Sequence, residues 1–293
     1  DTAKAITLSG ADVDSGDTVA YAATTLPSWL SFDAATGVLS GTPTNSDVGD
    51  HSVVLTATDA ADEADTQSFT IAVTNTNDAP TLANAISDQT VAEDSALSFQ
   101  FASDVFADVD AGDSFTYTAT LSDDSALPSW LSFDAGTRTF SGTPLNEDVG
   151  TIALKVVASD GEASVADTFN LTVTNTNDAP TLANAISDQT VAEDSALSFQ
   201  FASDVFADVD AGDSFTYTAT LSDDSALPSW LSFDAGTRTF SGTPLNEDVG
   251  TIALKVTATD SGSASVADTF NLTVTNINAP PTLANAISDQ TVA

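Results

Sequence analysis

An identical internal repeat is the feature that most constrains what this chain can fold into. Residues 73–156 and 173–256 have the same sequence, letter for letter. A diverged third copy begins the chain, because LPSWLSFDAATGVLSGTP at 26–43 resembles LPSWLSFDAGTRTFSGTP at 127–144 and 227–244. A repeat of about 100 residues is the size of an independent domain and is too long for a solenoid coil. The sequence therefore predicts tandem domains.

The repeats also predict where the domains begin and end. PTLANAISDQTVA at 281–293 is the same sequence that opens the second and third copies. We expect four pieces: a first repeat that lacks its first strand, two full repeats, and the first strand of a further repeat. Their bounds are 1–78, 79–178, 179–279 and 280–293.

Within one repeat, apolar residues alternate with polar ones. Leu97 and Phe99 show this spacing, and so does the segment 152–158. A period of two is typical of half-buried strands, and turn-forming segments such as DAGD at 110–113 separate them. No stretch has helical spacing. About seven strands per repeat predict an all-β fold of tandem Ig-like antiparallel β-sandwiches.

Each repeat has one tryptophan, in the sequence PSWLSF. An exposed tryptophan would suggest stacking against carbohydrate, whereas a buried one would anchor the core. Leu131 and Phe133 flank Trp130 in the second repeat, so we expect a core position.

Composition excludes several classes of partner. The chain has 43 acidic and five basic residues and a formal net charge of −38, so it has almost no cations with which to bind nucleic acid or an anionic membrane surface. Hydrophobic residues make up 42% of the chain, which is enough for a core. Cysteine is absent, which excludes disulfides and zinc–thiolate sites, and no apolar run is long enough for membrane insertion.

Acidic motifs recur at fixed places in the repeats. DVDxGD occupies 12–17, 108–113 and 208–213; an Asp closes a predicted strand in ATD or ASD; and N-x-D-V-G follows the SGTP segment. Two carboxylates about 4 Å apart repel each other by roughly 4 kcal/mol at an effective dielectric constant near 20. A divalent cation with six to eight oxygen ligands offsets such repulsion, and oxygen ligands without Cys favour Ca²⁺. A solvated acidic surface is the alternative, but it does not require fixed spacings.

The order of these motifs resembles a known family. VAED, DVDAGD, LNED, ASD and NTNDAP follow one another as the calcium-binding motifs of cadherins do. LPSWLSFD with SGTP resembles dystroglycan-type cadherin-like (CADG) repeats, which are also described as Putative Ig domains and are common in large bacterial surface adhesins. The resemblance covers the whole chain and implies that the pieces are cadherin-like repeats: an all-β fold of tandem Ig-like (cadherin-like) antiparallel β-sandwiches in an extended array.

The resemblance implies Ca²⁺ where two domains meet, with ligands from the lower end of one domain, the linker and the upper end of the next. The implied ligands above the first repeat are Asp12, Asp14 and Asp59. Those of the first joint are Asn45, Asp47, Asn75, Asn77, Asp78, Asp108, Asp110 and Asp160. Those of the second joint are Glu93, Asn146, Asp148, Asn175, Asn177, Asp178, Asp208, Asp210 and Asp260. Those after the third repeat are Glu193, Asn246, Asp248, Asn276 and Asn278.

Some positions depart from the cadherin pattern. Ala279 stands where the other two linkers have Asp78 and Asp178, and the first repeat has no counterpart of Glu93. We expect fewer ions at those places. Asp113 fits a ligand and a turn cap equally well.

These features predict a structural extender segment of a calcium-rigidified extracellular adhesin or surface filament, at the cell surface. The alternative is a calcium-dependent carbohydrate- or cell-binding module. An enzyme is not expected, since the same acidic set in three domains indicates structural sites. The expected partners are neighbouring repeats of one long chain or adjacent copies by strand addition, with a cell-surface or glycan ligand elsewhere in the protein.

The two ends of the chain lie at matching points of the repeat. Asp1 stands at the place of Asp94, and Ala293 at the place of Ala92. We expect a piece of a continuous, longer repeat protein. The alternative is that the tail from 282 onwards fills the vacant sheet edge of another copy.

Overall fold

The structure is a computed structural model, and it describes residues 3–11, 13–14, 16, 18–283, 287 and 289–291. These residues form 24 β-strands and three 3₁₀ helices of three residues each, so the expected all-β fold is confirmed. Within the described part of the chain, no helix has the length and apolar character needed to cross a membrane. The chain divides into two compact units, residues 1–174 and 175–293.

The first unit begins with a repeat of six strands. Two three-stranded sheets, in the orders β1-β4-β3 and β2-β5-β6, face each other across its core. A 3₁₀ helix, η1 (Asn45–Asp47), precedes β5. The strands are β1 (Lys4–Thr7), β2 (Ala20–Thr25), β3 (Leu30–Asp33), β4 (Val38–Gly41), β5 (Gly49–Thr58) and β6 (Ala64–Val73).

The second repeat of this unit has a larger set of strands. Its main sheets have the orders β11-β14-β15-β8 and β12-β13-β9, and β7 pairs with β10. The helix η2 (Asn146–Asp148) precedes β14. The strands are β7 (Thr81–Leu82), β8 (Gln89–Ala92), β9 (Leu97–Gln100), β10 (Phe106–Ala107), β11 (Thr116–Leu121), β12 (Leu131–Asp134), β13 (Thr139–Gly142), β14 (Gly150–Ser159) and β15 (Ser164–Thr174).

The second unit repeats this topology. Its sheets are β17-β24-β23-β20, β18-β22-β21 and β16-β19, and η3 (Asn246–Asp248) precedes β23. The strands are β16 (Thr181–Leu182), β17 (Gln189–Ala192), β18 (Leu197–Gln200), β19 (Phe206–Ala207), β20 (Thr216–Leu221), β21 (Leu231–Asp234), β22 (Thr239–Gly242), β23 (Gly250–Thr259) and β24 (Ser265–Thr275).

One strand pair in each full repeat is parallel, whereas the sequence predicts antiparallel pairing throughout. β8 pairs with β15 in parallel, and β17 pairs with β24 in the same way. The reason is that the chain changes sheets directly after β8: the next strand, β9, pairs with β13 in the opposite sheet. β8 is therefore the edge strand of one sheet, and the chain continues from it into the other sheet.

Alternating side chains build the cores. On β14, Leu154, Val156 and Ala158 are fully buried, and Phe169 and Leu171 face them from β15. Trp130 is half-buried and packs against this cluster, which confirms its predicted core position. The first repeat has a smaller core of four buried residues, Leu30, Leu39, Val53 and Leu55.

Candidate metal centre

A tight turn after β10 gathers three carboxylates of the second repeat. Asp108 Oδ1 accepts a hydrogen bond from Asp110 N (3.0 Å), which folds the segment back on itself. Gly112 has a φ of +103°, a conformation that glycine adopts without strain. The turn thereby brings Asp113 close to Asp108.

The hairpin between β14 and β15 supplies a fourth carboxylate. Asp160 Oδ1 accepts hydrogen bonds from Glu162 N and Ala163 N, both at 2.7 Å. These backbone bonds, more than any other contact, lower the pKa of Asp160. The side chain is therefore ionised and held in place by the hairpin itself.

Three of these carboxylates form a cluster in which negative charge is concentrated. Ligand oxygens of Asp108, Asp113 and Asp160 all lie within 4.8 Å of one another. Although Asp113 is exposed, desolvation by its neighbours, and then the negative charges of Asp108, Asp110, Asp160 and Glu162, raise its pKa. Asp108 Oδ2 is buried and has no hydrogen-bond partner among the described residues. The cluster lacks a positive charge, since the ion pairs of the described chain are Lys155–Asp124 and Lys255–Asp224.

The linker and the lower end of the first repeat meet this cluster. Asp110 is buried, and its Oδ2 accepts from Asp78 N (2.7 Å) while its Oδ1 accepts from Asn45 Nδ2 (3.0 Å). Asn45 Nδ2 also donates to Asp78 Oδ2 (2.6 Å), and Asn77 Nδ2 donates to Asp160 Oδ2 (3.1 Å). Six of the residues predicted for the first joint thus lie together: Asn45, Asn77, Asp78, Asp108, Asp110 and Asp160.

The second unit contains the same cluster at the upper end of its repeat. Oxygens of Asp208, Asp213 and Asp260 lie within 4.8 Å of one another. Asn177 Nδ2 donates to Asp260 Oδ2 (3.1 Å), and Asp178 N donates to Asp210 Oδ2 (2.9 Å). Two buried oxygens, Asp208 Oδ2 and Asp213 Oδ2, have no hydrogen-bond partner in the described part of the chain.

A different group lies at the lower end of the third repeat. Glu193 is buried, and its Oε1 accepts a hydrogen bond from Ile277 N (2.6 Å). Its Oε2 is buried without a hydrogen-bond partner among the residues described. Asn246 Nδ2 contacts Asn276 Oδ1 at 3.5 Å, and Asn278 is exposed. In the first unit, the equivalent Glu93 is also buried, and its backbone N donates to Thr174 O.

Three predicted ligands serve as helix caps. Asp47 Oδ2 accepts from Thr44 N (2.9 Å), and this bond is the main cause of its lowered pKa. Asp148 and Asp248 accept in the same way from Leu145 N and Leu245 N. Each cap uses one carboxylate oxygen to hold its 3₁₀ helix.

The remaining predicted residues have other surroundings. Asp59 Oδ1 accepts from Ala61 N and Glu63 N and so closes the β5–β6 hairpin. Asp14 is exposed, as are Asn75 and Asn175, and Asn146 begins η2. Asp12 lies outside the described residues.

Asp113 and Asp213 belong to the clusters although the predicted ligand set did not include them. The signal was present, because each is the last acid of a DVDAGD motif. The spacing alone did not separate a ligand from a turn cap. The fold places Asp160 and Asp260, which are distant in sequence, beside them.

The three repeats match a known protein family. The sequence profile of the family described as "Putative Ig domain" matches residues 1–74, 79–174 and 179–275. This confirms the Putative Ig part of the resemblance; the narrower CADG assignment stays a prediction.

Comparisons with individual proteins agree with this class. The "Serine-rich adhesin for platelets" of Staphylococcus aureus strain USA300 is 37% identical over 158 residues, which are 54% of this chain and 6% of that protein. Among solved structures, mouse cadherin-23 EC22–24 has a TM-score of 0.62 at 17% identity, covering 93% of this chain and 91% of that one. The extracellular cadherin domains 1–5 of protocadherin gamma B2 have a TM-score of 0.61 at 18% identity, covering 89% and 53%. These structures show a cadherin-like fold.

Proposed function

The chain belongs to the family of Putative Ig domains, and from this premise we propose that it is a structural repeat segment of an extracellular adhesin whose domain joints bind Ca²⁺. The domains of this proposal are residues 1–78, 79–178 and 179–279, with 280–293 opening a further repeat. The ions bind at the acidic clusters and stiffen the joints.

The unpartnered carboxylate oxygens carry this proposal. A buried carboxylate oxygen without a hydrogen bond is unfavourable, and Asp108, which has such an oxygen in Oδ2, belongs to the cluster with Asp113 and Asp160. A divalent cation would give this oxygen a partner and would offset the repulsion between the carboxylates. The available donors are all hard oxygens, which suit Ca²⁺ better than a transition metal. The residues therefore fit the ion that the cadherin-like fold implies.

The joint between the first and second repeats indicates how Ca²⁺ binding would restrict the movement of one domain relative to the next. Asn45 comes from the first repeat, Asn77 and Asp78 from the linker, and Asp110 from the second repeat. An ion held beside them would tie the ends of two domains together. Extracellular calcium modules bind at about 10⁻⁴ to 10⁻³ M, so millimolar Ca²⁺ would fill the site.

The adhesin relative supports a surface location. The chain spans about 6% of that relative's length, so we carry over only the role of a repeat segment. The tryptophans pack against the cores, which favours an extender over a carbohydrate-binding module. The matched relative is an adhesin, which supports a non-enzymatic role.

Calorimetric titration of the full chain with Ca²⁺ tests the proposal. The variant Asp108→Asn removes one charge from the first cluster, so we expect fewer bound ions or weaker binding. Asp104→Asn is the matched control, because this exposed Asp contacts Asn84 through its backbone oxygen. Small-angle scattering with and without chelator gives the shape. No binding heat, together with identical scattering curves, would contradict the proposal.

A further inference from the structure

One aspartate of the first cluster is followed directly by a glycine. Asp160–Gly161 is the single Asp–Gly pair of the sequence, and Asn–Gly does not occur. The carboxylate of Asp160 belongs to the cluster with Asp108 and Asp113. An aspartate before glycine is prone to react with the backbone that follows it, because glycine has no side chain to shield its amide nitrogen. A reactive pair therefore lies within the candidate metal centre.

The length of the hairpin turn explains why a glycine stands at this position. The turn between β14 and β15 consists of residues 160–163, and Gly161 has a φ of +109°. A residue with a Cβ adopts such a conformation only with strain, so the short turn requires glycine. The turn between β23 and β24 consists of residues 260–264, and Ser261 follows Asp260 there. The third repeat thus supplies a natural control.

Hydrogen bonds hold both reacting groups in the folded hairpin. Asp160 Oδ1 accepts from Glu162 N and Ala163 N, both at 2.7 Å. Gly161 N donates to Ser159 Oγ (3.1 Å). Attack of Gly161 N on the side-chain carbon Cγ of Asp160 requires all three bonds to break. Gly161 is exposed, so local opening of the hairpin tip is sufficient, and such opening costs less free energy than unfolding of the domain.

We propose that Asp160–Gly161 is a site of spontaneous modification, at which the chain forms isoaspartate and so loses its first cluster. When the tip opens, Gly161 N attacks Asp160 Cγ and closes a succinimide ring. One carboxylate oxygen leaves as water, together with the amide proton and a proton from solvent. A water molecule then opens the ring at the backbone carbonyl of Asp160 and returns that proton to solvent. The mass of the chain is unchanged, and water is the only other reactant.

The product no longer fits the cluster. In isoaspartate the main chain runs through the former Cγ, and the free carboxylate is attached directly to the α-carbon. The backbone is therefore longer at the hairpin tip, and the carboxylate lies closer to it. The bond from Asn77 Nδ2 to Asp160 Oδ2 (3.1 Å), which joins the linker to this hairpin, is lost with the original side chain. Asp108 and Asp113 then remain without their third carboxylate.

A bound cation should slow the reaction, and this part of the inference rests on the proposed function. An ion held by Asp160 keeps its carboxylate in the closed hairpin. For a dissociation constant of 10⁻⁴ to 10⁻³ M, 10 mM Ca²⁺ reduces the open fraction by about tenfold to a hundredfold. A joint without calcium therefore loses its site faster, and the loss remains when calcium returns.

Peptide mapping of the full chain tests the proposal after storage at physiological temperature and pH, in chelator or in 10 mM Ca²⁺. Fragmentation by electron transfer locates isoaspartate, and the two hairpins give peptides of different sequence. We expect isoaspartate at Asp160 in chelator, well above the amount at Asp260, and formation about tenfold or more slower in Ca²⁺. The matched variant replaces Gly161–Glu162 with Ser-Gly-Ser, the sequence of residues 261–263, and should lose most of the modification while it keeps Asp160.

The possible outcomes separate this proposal from the calcium proposal. If Asp160 in chelator forms no more isoaspartate than Asp260 does, the modification site is wrong. If calorimetry of the fresh chain detects Ca²⁺ binding but the ion does not slow the reaction, protection by the ion is wrong. If the fresh chain binds no Ca²⁺, the proposed function fails, and the comparison of Asp160 with Asp260 still decides the modification. The stored chain should also lose the binding heat that depends on Asp108, and an unchanged heat would contradict the loss of the cluster.

Discussion

At the scale of single residues, the acidic clusters depend on contacts that the sequence indicates only in part. The motif DVDAGD predicts that Asp108 and Asp110 lie on one turn, and the structure confirms this. The approach of Asp160 comes from a hairpin 50 residues further along, which spacing alone does not reveal. The capping role of Asp148 depends on the 3₁₀ conformation of η2, which the sequence did not predict. Local turns were therefore predictable, and the meeting of distant turns required the resemblance.

Gly262 leaves room for a linker side chain, and replacing it should weaken ion binding in the second unit. A Cβ at this position would lie 2.0 Å from Asn177 Oδ1, so Gly262→Ala must displace the Asn177 amide. That amide donates to Asp260, a member of the cluster. We expect weaker Ca²⁺ binding in calorimetry with little change in the melting temperature. Gly236→Ala, where a Cβ lies 3.5 Å from the nearest atom, is the control. Equal affinities in the two variants would contradict the prediction.

Asp88 and Asp188 should make stability depend on pH. Hydrogen bonds from the backbone and then the side chain of Asn170 and Asn271 lower the pKa of these carboxyls below 3.8. A lowered pKa contributes stability above the unfolded value, and that contribution disappears as the pH falls through the folded pKa. The double variant Asp88→Asn, Asp188→Asn should be less stable than the unmodified chain at pH 7. In urea unfolding experiments the difference should shrink as the pH falls below 3.8 and through the lowered pKa of both carboxyls, because they become protonated. A constant difference at all pH values would show that the charge is not responsible.

At the scale of strands, the alternation of apolar residues predicted most strands. The exception is the parallel pairing of β8, which follows from a crossing between the two sheets. The alternation at 152–158 lies within β14, and that of Leu97 and Phe99 lies within β9. The parallel pairing of β8 was not predictable from its own four residues. It follows from the position of β8 on one sheet and of β9 on the other, which is a property of the assembled sandwich.

The glycine of the SGTP segment allows the backbone to pass close to Trp130, because it has no side chain. A Cβ on Gly142 would lie 1.9 Å from the backbone oxygen of Trp130, a contact that only movement of the backbone can relieve. Gly142→Ala should therefore reduce the free energy of unfolding of its repeat by about 2 kcal/mol or more, within the upper range for single substitutions. Gly136→Ala, in an exposed turn, is the comparison and should cost much less. Urea unfolding checks the two values, and equal costs would contradict this account of the SGTP segment.

At the scale of the whole molecule, the net charge of −38 sets how the chain responds to ions. Any salt screens repulsion between exposed carboxylates, over a distance of about 10 Å at 0.1 M ionic strength. Screening acts on all acidic residues, whereas a bound cation acts at the clusters. The two effects can be separated because they require different concentrations and depend on different residues.

Calcium should stabilise this chain more than sodium does at equal ionic strength. For a dissociation constant of 10⁻⁴ to 10⁻³ M, 10 mM Ca²⁺ adds about 1.4 to 2.7 kcal/mol per site. NaCl of the same ionic strength should raise the melting temperature less, because it supplies screening without occupying the clusters. The double variant Asp108→Asn, Asp208→Asn alters the same residue in both clusters and should lose most of the calcium response while keeping the response to NaCl. Asp104→Asn with Asp204→Asn removes the same number of charges from exposed positions and should keep both responses. Calorimetric melting of the three chains in the two salts makes the comparison. If calcium and sodium act alike, or if both double variants respond alike, the acidic clusters are a solvated surface and the stiffening of the joints must have another origin.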